Sequence, residues 1–127
     1  MNRLKDKIAL VTGAYKGIGQ AIAELFCEED ATVILSGIND ELGQKVASAI
    51  NGKAEYHHLD VSHEKDWKII SNYILEKYGK LDILINNAGI NGFIETAGPH
   101  DPENLDVESW KRVHSVNLDG VAFGCKE

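Results

Sequence analysis

The stretch LVTGAYKGIGQAIAEL, residues 10–25, places Gly13, Gly17 and Gly19 between an apolar run and a helical pattern. Just before the glycines, KIALV (7–11) is short and continuously apolar, as expected of a strand buried on both faces. After them, Ile18, Ile22, Leu25 and Phe26 recur at i, i+4, i+7 and i+8, the spacing of one helix face. A strand, a glycine-rich turn and a helix therefore follow one another directly.

The same two patterns alternate along the rest of the chain. TVIL (32–35) and DILI (82–85) read as buried parallel strands, and the more polar AEYHHLD (54–60) as a strand nearer an edge. Leu42, Val46, Ala49 and Ile50 mark a second helix. Trp67, Ile70, Ile74 and Tyr78 mark a third, opened by a Ser62 cap and closed by Gly79. Trp110, Val113, Asn117 and Val121 mark a fourth, behind an Asp106 cap. This alternation predicts an α/β fold, a Rossmann-type doubly wound parallel sheet, and right-handed crossovers give the strand order 3-2-1-4. Residues 90–106 carry both prolines and show no period, so they are expected to form a pocket-lining loop at the carboxyl end of the sheet. The sequence stops within the fourth helical pattern, at GVAFGCKE, which would leave the fourth strand as an open edge. Residues 1–127 are accordingly expected to be the N-terminal part of a longer single-domain fold.

Composition narrows the function. At 127 residues, 43% apolar and 26% charged, the chain has the make-up of a soluble globular domain. A net charge of −7 argues against a sequence-independent nucleic-acid binder, which needs a basic footprint. No apolar stretch reaches membrane-spanning length, and the first residues do not form a signal peptide. Cys27 and Cys125 lie in helical patterns and are expected to be buried thiols, which with the rest points to a cytoplasmic protein. The five histidines form no metal-binding constellation, since adjacent His57 and His58 point to opposite faces of a strand, so no metal is expected.

The glycine turn has a chemical reading. Gly13 permits a tight turn off the strand, Gly17 lets the backbone approach a pyrophosphate at the positive end of a helix, and Gly19 lets that helix pack closely on the sheet. The spacing is G-x-x-x-G-x-G, distinct from G-x-G-x-x-G and from the P-loop.

TGAYKGIG (12–19) resembles the cofactor motif of the short-chain dehydrogenase/reductase family. LDV (59–61), NNAG (86–89) and VNLDG (116–120) are similar to that family's next three landmarks, in the same order, so the resemblance covers essentially the whole chain. It implies an NAD(P)(H)-dependent oxidoreductase that moves a hydride between nicotinamide and a small-molecule carbonyl or secondary alcohol. The cofactor site it implies comprises Gly13, Tyr15, Lys16, Gly17, Ile18, Gly19, Gly37, Asp60, Val61, Asn87, Ala88 and Gly89. Within it, Asp60 would accept a hydrogen bond from the adenine amino group beside the Val61 backbone. Asn87, Ala88 and Gly89 would lie along the ribose, and Thr12 would tie the first strand to NNAG.

Gly37 stands where NAD-dependent relatives carry an acidic residue, and Lys16 offers a cation to a 2′-phosphate. Together they favour NADP(H) over NAD(H), against Ile38 where NADP-dependent relatives often carry Arg and Tyr15 where many carry Ser. Asp40 lies close enough to reach a ribose, with helix capping as its other role.

Asn117 puts an amide on an apolar stripe, at a cost of about 1–3 kcal/mol unless it finds partners. Either it bonds to backbone at a helix distortion or, as the family implies, it is catalytic and holds a water of a proton relay. The family's Ser and Tyr-x-x-x-Lys follow the Asn helix, and no match follows residue 117. Tyr73 and Lys77 in YILEK have the spacing but belong to the third helix, away from the nicotinamide. The chain is thus expected to shape a nucleotide site without itself running the proton transfer. The alternatives are a non-catalytic dinucleotide-binding module or, less in keeping with NNAG and Asn117, a Rossmann-type methyltransferase using an adenosyl cofactor. The family's habit of pairing through helices near the fourth implies a homo-oligomer, dimer or tetramer, although an ordinary core explains the apolar face equally well.

Overall fold

In the computed structural model, which describes residues 2–90 and 106–127, strands and helices alternate as far as the fourth strand. They are β1 (Ile8–Thr12), α1 (Gly17–Glu28), β2 (Thr32–Gly37), α2 (Asp40–Ala49), β3 (Lys53–His58), α3 (Glu64–Tyr78) and β4 (Ile83–Ile85). A final helical stretch comprises α4 (Val107–His114), a π-helical turn (Ser115–Asp119) and α5 (Gly120–Lys126). The sheet order is β3-β2-β1-β4 with every pair parallel, which is the Rossmann-type arrangement expected. The expected loop over 90–106 lies, apart from its two end residues, outside the described residues.

Alternation along the strands builds two cores. Ala9, Val11, Val33, Leu35 and Tyr56 face α1 and α2, while Ile8, Leu10 and Ile34 face Trp67, Ile70 and Ile74 of α3. Strands covered on both faces have no place for polar alternation, which is why they read as continuous apolar runs. Among the described residues β3 pairs only with β2, which fits the more polar strand expected nearer an edge.

Helix faces differ more from expectation. On α1 the buried residues are Gly19, Ala23 and Cys27, with Ile22 and Phe26 beside them, whereas Ile18 is 74% exposed and Leu25 50%. Small side chains let this helix lie close to the sheet, so its inner face is not its most hydrophobic one. The fourth helix departs further. Val116, Gly120, Phe123 and Gly124 face the α3 side, and a Cβ on Gly124 would come within 2.7 Å of the Trp67 ring. Trp110 is half exposed and stacks on His114 at 4.3 Å between ring centroids. A stripe extrapolated at the α-helical period loses its phase across a π turn, which inserts an extra residue.

The caps also need correction. Asn39, not Asp40, caps α2, its Oδ1 accepting from Leu42 N–H at 3.1 Å. Ser62 does not cap α3, because its hydroxyl donates to Asp60 Oδ1 at 2.6 Å and His63 takes the cap position without a side-chain bond. Asp106 does stand at the cap of α4, although its carboxylate accepts from the Ser109 hydroxyl and not from a main-chain amide. Gly79 closes α3 in the left-handed region as expected. Cys27 is a buried thiol, its pKa pushed up to about 11 by desolvation, but Cys125 is exposed.

Two polar clusters join elements distant in sequence. At the sheet centre the buried Thr12 hydroxyl donates to Ile85 O at 3.3 Å and accepts from Asn87 N–H and Ala88 N–H, both at 3.0 Å. On the α3 side, Glu55 of β3 accepts from Lys77 at 2.8 Å, Tyr78 at 2.9 Å and Tyr73 at 3.0 Å. Partial burial raises the Glu55 pKa, but these donors outweigh it and hold the carboxyl below the usual glutamate range.

Two predictions follow from these clusters. Asn87 N–H also reaches Ile85 O at 3.1 Å, so Thr12→Val would strand chiefly the Ala88 amide. It should cost about 2 kcal/mol in urea unfolding, and Thr12→Ser should recover most of that. Glu55 has a lower pKa folded than unfolded, so its contribution is present above the ordinary glutamate pKa and is lost as pH falls through the depressed value. Glu55→Gln should therefore cost about 1 kcal/mol at neutral pH and flatten the acid side of the stability–pH curve. Parallel acid limbs for the two proteins would contradict this.

Candidate functional site

The carboxyl ends of the four strands open into a cavity of about 490 Å³, a size usual for small-molecule and cofactor sites. The β1–α1 turn contributes Gly13, Tyr15, Lys16, Gly17 and Ile18, and the end of β2 contributes Gly37. Asp60 and Val61 come from the turn after β3, and Asn87, Ala88 and Gly89 from the turn after β4. These four segments are far apart in sequence, and the parallel sheet brings their ends together.

Gly13 and Gly17 hold positive φ, +61° and +59°. A Cβ on Gly13 would sit 2.9 Å from Ala88 Cα, whereas Gly17 has nothing within 4 Å of that position. The first turn of the chain's glycine loop is thus clamped against NNAG, and its second glycine leaves open space at the start of α1. Lys16 at the helix cap makes no side-chain capping bond, so it supplies no acceptor of its own to the first helical amides.

Gly19 does not line the cavity. It packs behind it, where a Cβ would overlap the Asn87 amide and approach Gly13 O at 2.6 Å. Asn87 Nδ2 in turn donates to the Thr12 and Gly13 carbonyls, each at 3.1 Å. Gly37 lies under Tyr15, whose ring fills the space a side chain there would enter. The Lys16 ammonium stands 5.8 Å from the centroid of that ring.

The Asp60 carboxylate is oriented from both sides of its turn. Oδ1 accepts from Ser62 N–H at 3.0 Å and from its hydroxyl at 2.6 Å, and Oδ2 lies 3.7 Å from His63 Nδ1. Desolvation works to raise its pKa, but the Ser62 bonds, with His63 and His58 nearby, more than offset this and keep it below the usual aspartate range. Asp40, considered above as a ribose ligand, has its Oδ1 within 2.7 Å of the Tyr56 hydroxyl and 2.9 Å of His58 Nδ1.

Asn117 sits in the π turn and outside the cavity lining. Its Oδ1 accepts from Ile90 N–H at 2.8 Å and its Nδ2 donates to Ile90 O at 2.7 Å. Both halves of the amide are thus spent on one backbone residue just past NNAG. Tyr73 and Lys77 stand on Glu55, outside the cavity lining.

Ile90, the first residue of the expected pocket-lining loop, lines the cavity, as do Ile38, Leu59, Ser62, Arg112, Ser115 and Val116, which sequence reasoning did not name as site residues. Most flank a motif already identified. Arg112 and Ser115 come from the fourth helix, and their nearness in sequence to Asn117 was the available signal. Among the described residues, no group of three or more His, Cys, Asp or Glu could hold a metal ion, and no helix is long and apolar enough to cross a membrane.

Comparison with known proteins agrees with this arrangement. A sequence profile described as short chain dehydrogenase matches residues 7–127. The chain is 41% identical over 126 residues to zerumbone synthase of Zingiber zerumbet, covering 98% of this chain and 46% of that protein. It is 44% identical over 125 residues to tropinone reductase-like 1 of Erythroxylum coca, covering 98% and 45%. To the NADP-dependent (R)-specific alcohol dehydrogenase of Lentilactobacillus kefiri it is 39% identical over 127 residues, covering 98% and 48%. The chain spans about half the length of these relatives. With the parallel sheet, the glycine turn clamped on NNAG and a profile match over nearly all of its length, the chain belongs to the short chain dehydrogenase family.

Proposed function

We propose that the protein acts in an NAD(P)(H)-dependent oxidation or reduction of a small-molecule alcohol or carbonyl compound, and that these residues form its nucleotide site. The observation that carries this reading is the clamping of Gly13 on Ala88 beside an open Gly17, at the cavity that Asp60 also lines. Such an opening suits a diphosphate, because main-chain amides at a helix start can approach it and the helix dipole favours its charge.

Gly17 and Ile18 would meet the diphosphate, Asp60 and Val61 the adenine, and Asn87, Ala88 and Gly89 the ribose. Asn117 would brace the turn that carries Gly89 and anchor the relay the family implies. When bound, the nicotinamide supplies or takes up a hydride. The sequence's single Tyr-x-x-x-Lys pair, Tyr73 and Lys77, is engaged at Glu55 outside the cavity lining. The alternative reading is a dinucleotide-binding module without turnover of its own. A fluorescence titration with NADPH, set against adenosylmethionine as the control ligand, tests the nucleotide site. A carbonyl-reduction assay separates enzyme from module.

The preferred cofactor is NADP(H). Position 37 offers no carboxylate to repel a 2′-phosphate, and Lys16 lines the cavity beside Tyr15. Lys16→Gln should weaken NADPH binding about tenfold, the worth of one charge-assisted phosphate contact, and change NADH binding less than about twofold. Tighter binding of NADH than of NADPH by the unaltered protein would overturn the assignment.

A further inference from the structure

Two turns wall the Asp60 end of the cavity, one after β2 with Gly37 and Ile38, the other after β3 with Leu59, Asp60 and Val61. Leu59 N–H bonds to Gly37 O at 2.9 Å, and beyond that point the two turns part toward α2 and α3. A chain of side chains spans the gap.

It starts at the buried Tyr56, whose hydroxyl lies 2.7 Å from both Gly37 O and Asp40 Oδ1. The same Asp40 oxygen meets His58 Nδ1 at 2.9 Å. His58 Nε2 faces Asp66 Oδ2 at 3.5 Å, and that oxygen accepts the Asp60 main-chain N–H at 3.0 Å. Asp60 continues the line to Ser62. His58 is the last residue of β3, on the α2 side of the sheet, and only at a strand end could its ring reach a residue of α3 as well.

We propose that His58 is a positioning residue for the adenosine end of the nucleotide. This rests on the nucleotide-site reading above. The imidazole holds the α2 entry and the α3 entry at a fixed separation, through Asp40 on one side and Asp66 on the other. Asp66 thereby keeps the Asp60 backbone in place, with Ser62 fixing the carboxylate that faces the adenine. Because His58 and Asp40 are about half exposed, the coupling is of the modest size usual for solvated side-chain pairs.

The test is calorimetric binding of adenosine monophosphate and of inorganic pyrophosphate to the intact protein. His58→Leu should weaken adenosine monophosphate binding about threefold and leave pyrophosphate binding within experimental error. His58→Asn keeps a donor near Asp40 and gives up the Asp66 contact, so it should fall between. Asp66→Asn retains an acceptor for the Asp60 amide, and its effect should shrink when made on top of His58→Leu, the signature of a shared contact. Unchanged adenosine monophosphate binding in His58→Leu, or equal loss of both ligands, would overturn the proposal. Failure of the unaltered protein to bind either ligand is a different result, and it would overturn the nucleotide site itself.

Discussion

The hydroxyl of Thr12 holds the amides of residues 75 and 76 positions further on, and the site is arranged around that contact. In a parallel sheet the strand ends have no hairpin to join them, and their spacing depends on what links them laterally. β1 is central and β4 pairs with it over only three positions, so the turn after β4 has little ladder to hold it. Thr12 supplies the missing attachment, and Asn87 returns it by bonding to the Thr12 and Gly13 carbonyls. The chain leaves β1 toward α1 on one face, whereas the π turn and α5, which follow β4, pack on the other through Val116 and Phe123. The crevice forms where those directions diverge, and this pair of turns is its floor.

Strands, their order and the two-sided core were legible because burial on both faces leaves a simple signature, an unbroken apolar run. Helix faces were less so. Ile18 and Leu25 are the larger apolar residues of α1, yet Gly19 and Ala23 face the sheet, since an intimate helix–sheet contact selects for small side chains. In the fourth helix the π turn shifts the phase, and Asn117 bonds to the Ile90 backbone at that distortion, one of the two roles expected of it. Caps failed where a competing partner stood within hydrogen-bond reach, near in sequence or far. Ser62 had Asp60, and Asp40 had Tyr56 and His58.

The site itself was legible to the extent that its residues lie in contiguous motifs. Gly13 to Ile18, Asp60 with Val61, and Asn87 to Gly89 each sit on a turn that a strand end carries into the cavity. Arg112, Ser115 and Val116 were hidden because they enter from a helix whose rotation the sequence period does not give. The bridge through His58 was hidden for another reason. Its members come from β3, α2 and α3, and only the close approach of α2 over β3, with Gly43 against the Tyr56 ring, sets Asp40 within reach.

Charge raises the remaining question of how an acidic chain could receive a ligand that is itself anionic. The net charge of −7 is an average over the surface, and what a bound diphosphate feels is local. Many carboxylates near the sheet ends are already occupied: Asp60 by Ser62, Asp40 by Tyr56 and His58, Asp66 by the Asp60 amide. Glu55 and Glu29 are likewise taken, by the α3 donors and by Arg3. Lys16 and Arg112 line the cavity, and the amide end of α1 opens toward it. Binding an anion there requires no basic protein, only that donors stand at the cavity and that the nearby carboxylates have donors of their own. The hydrogen bonds that fix these turns leave the carboxylates ionised but spend their oxygens on donors, while Lys16, Arg112 and the amide end of α1 line the cavity.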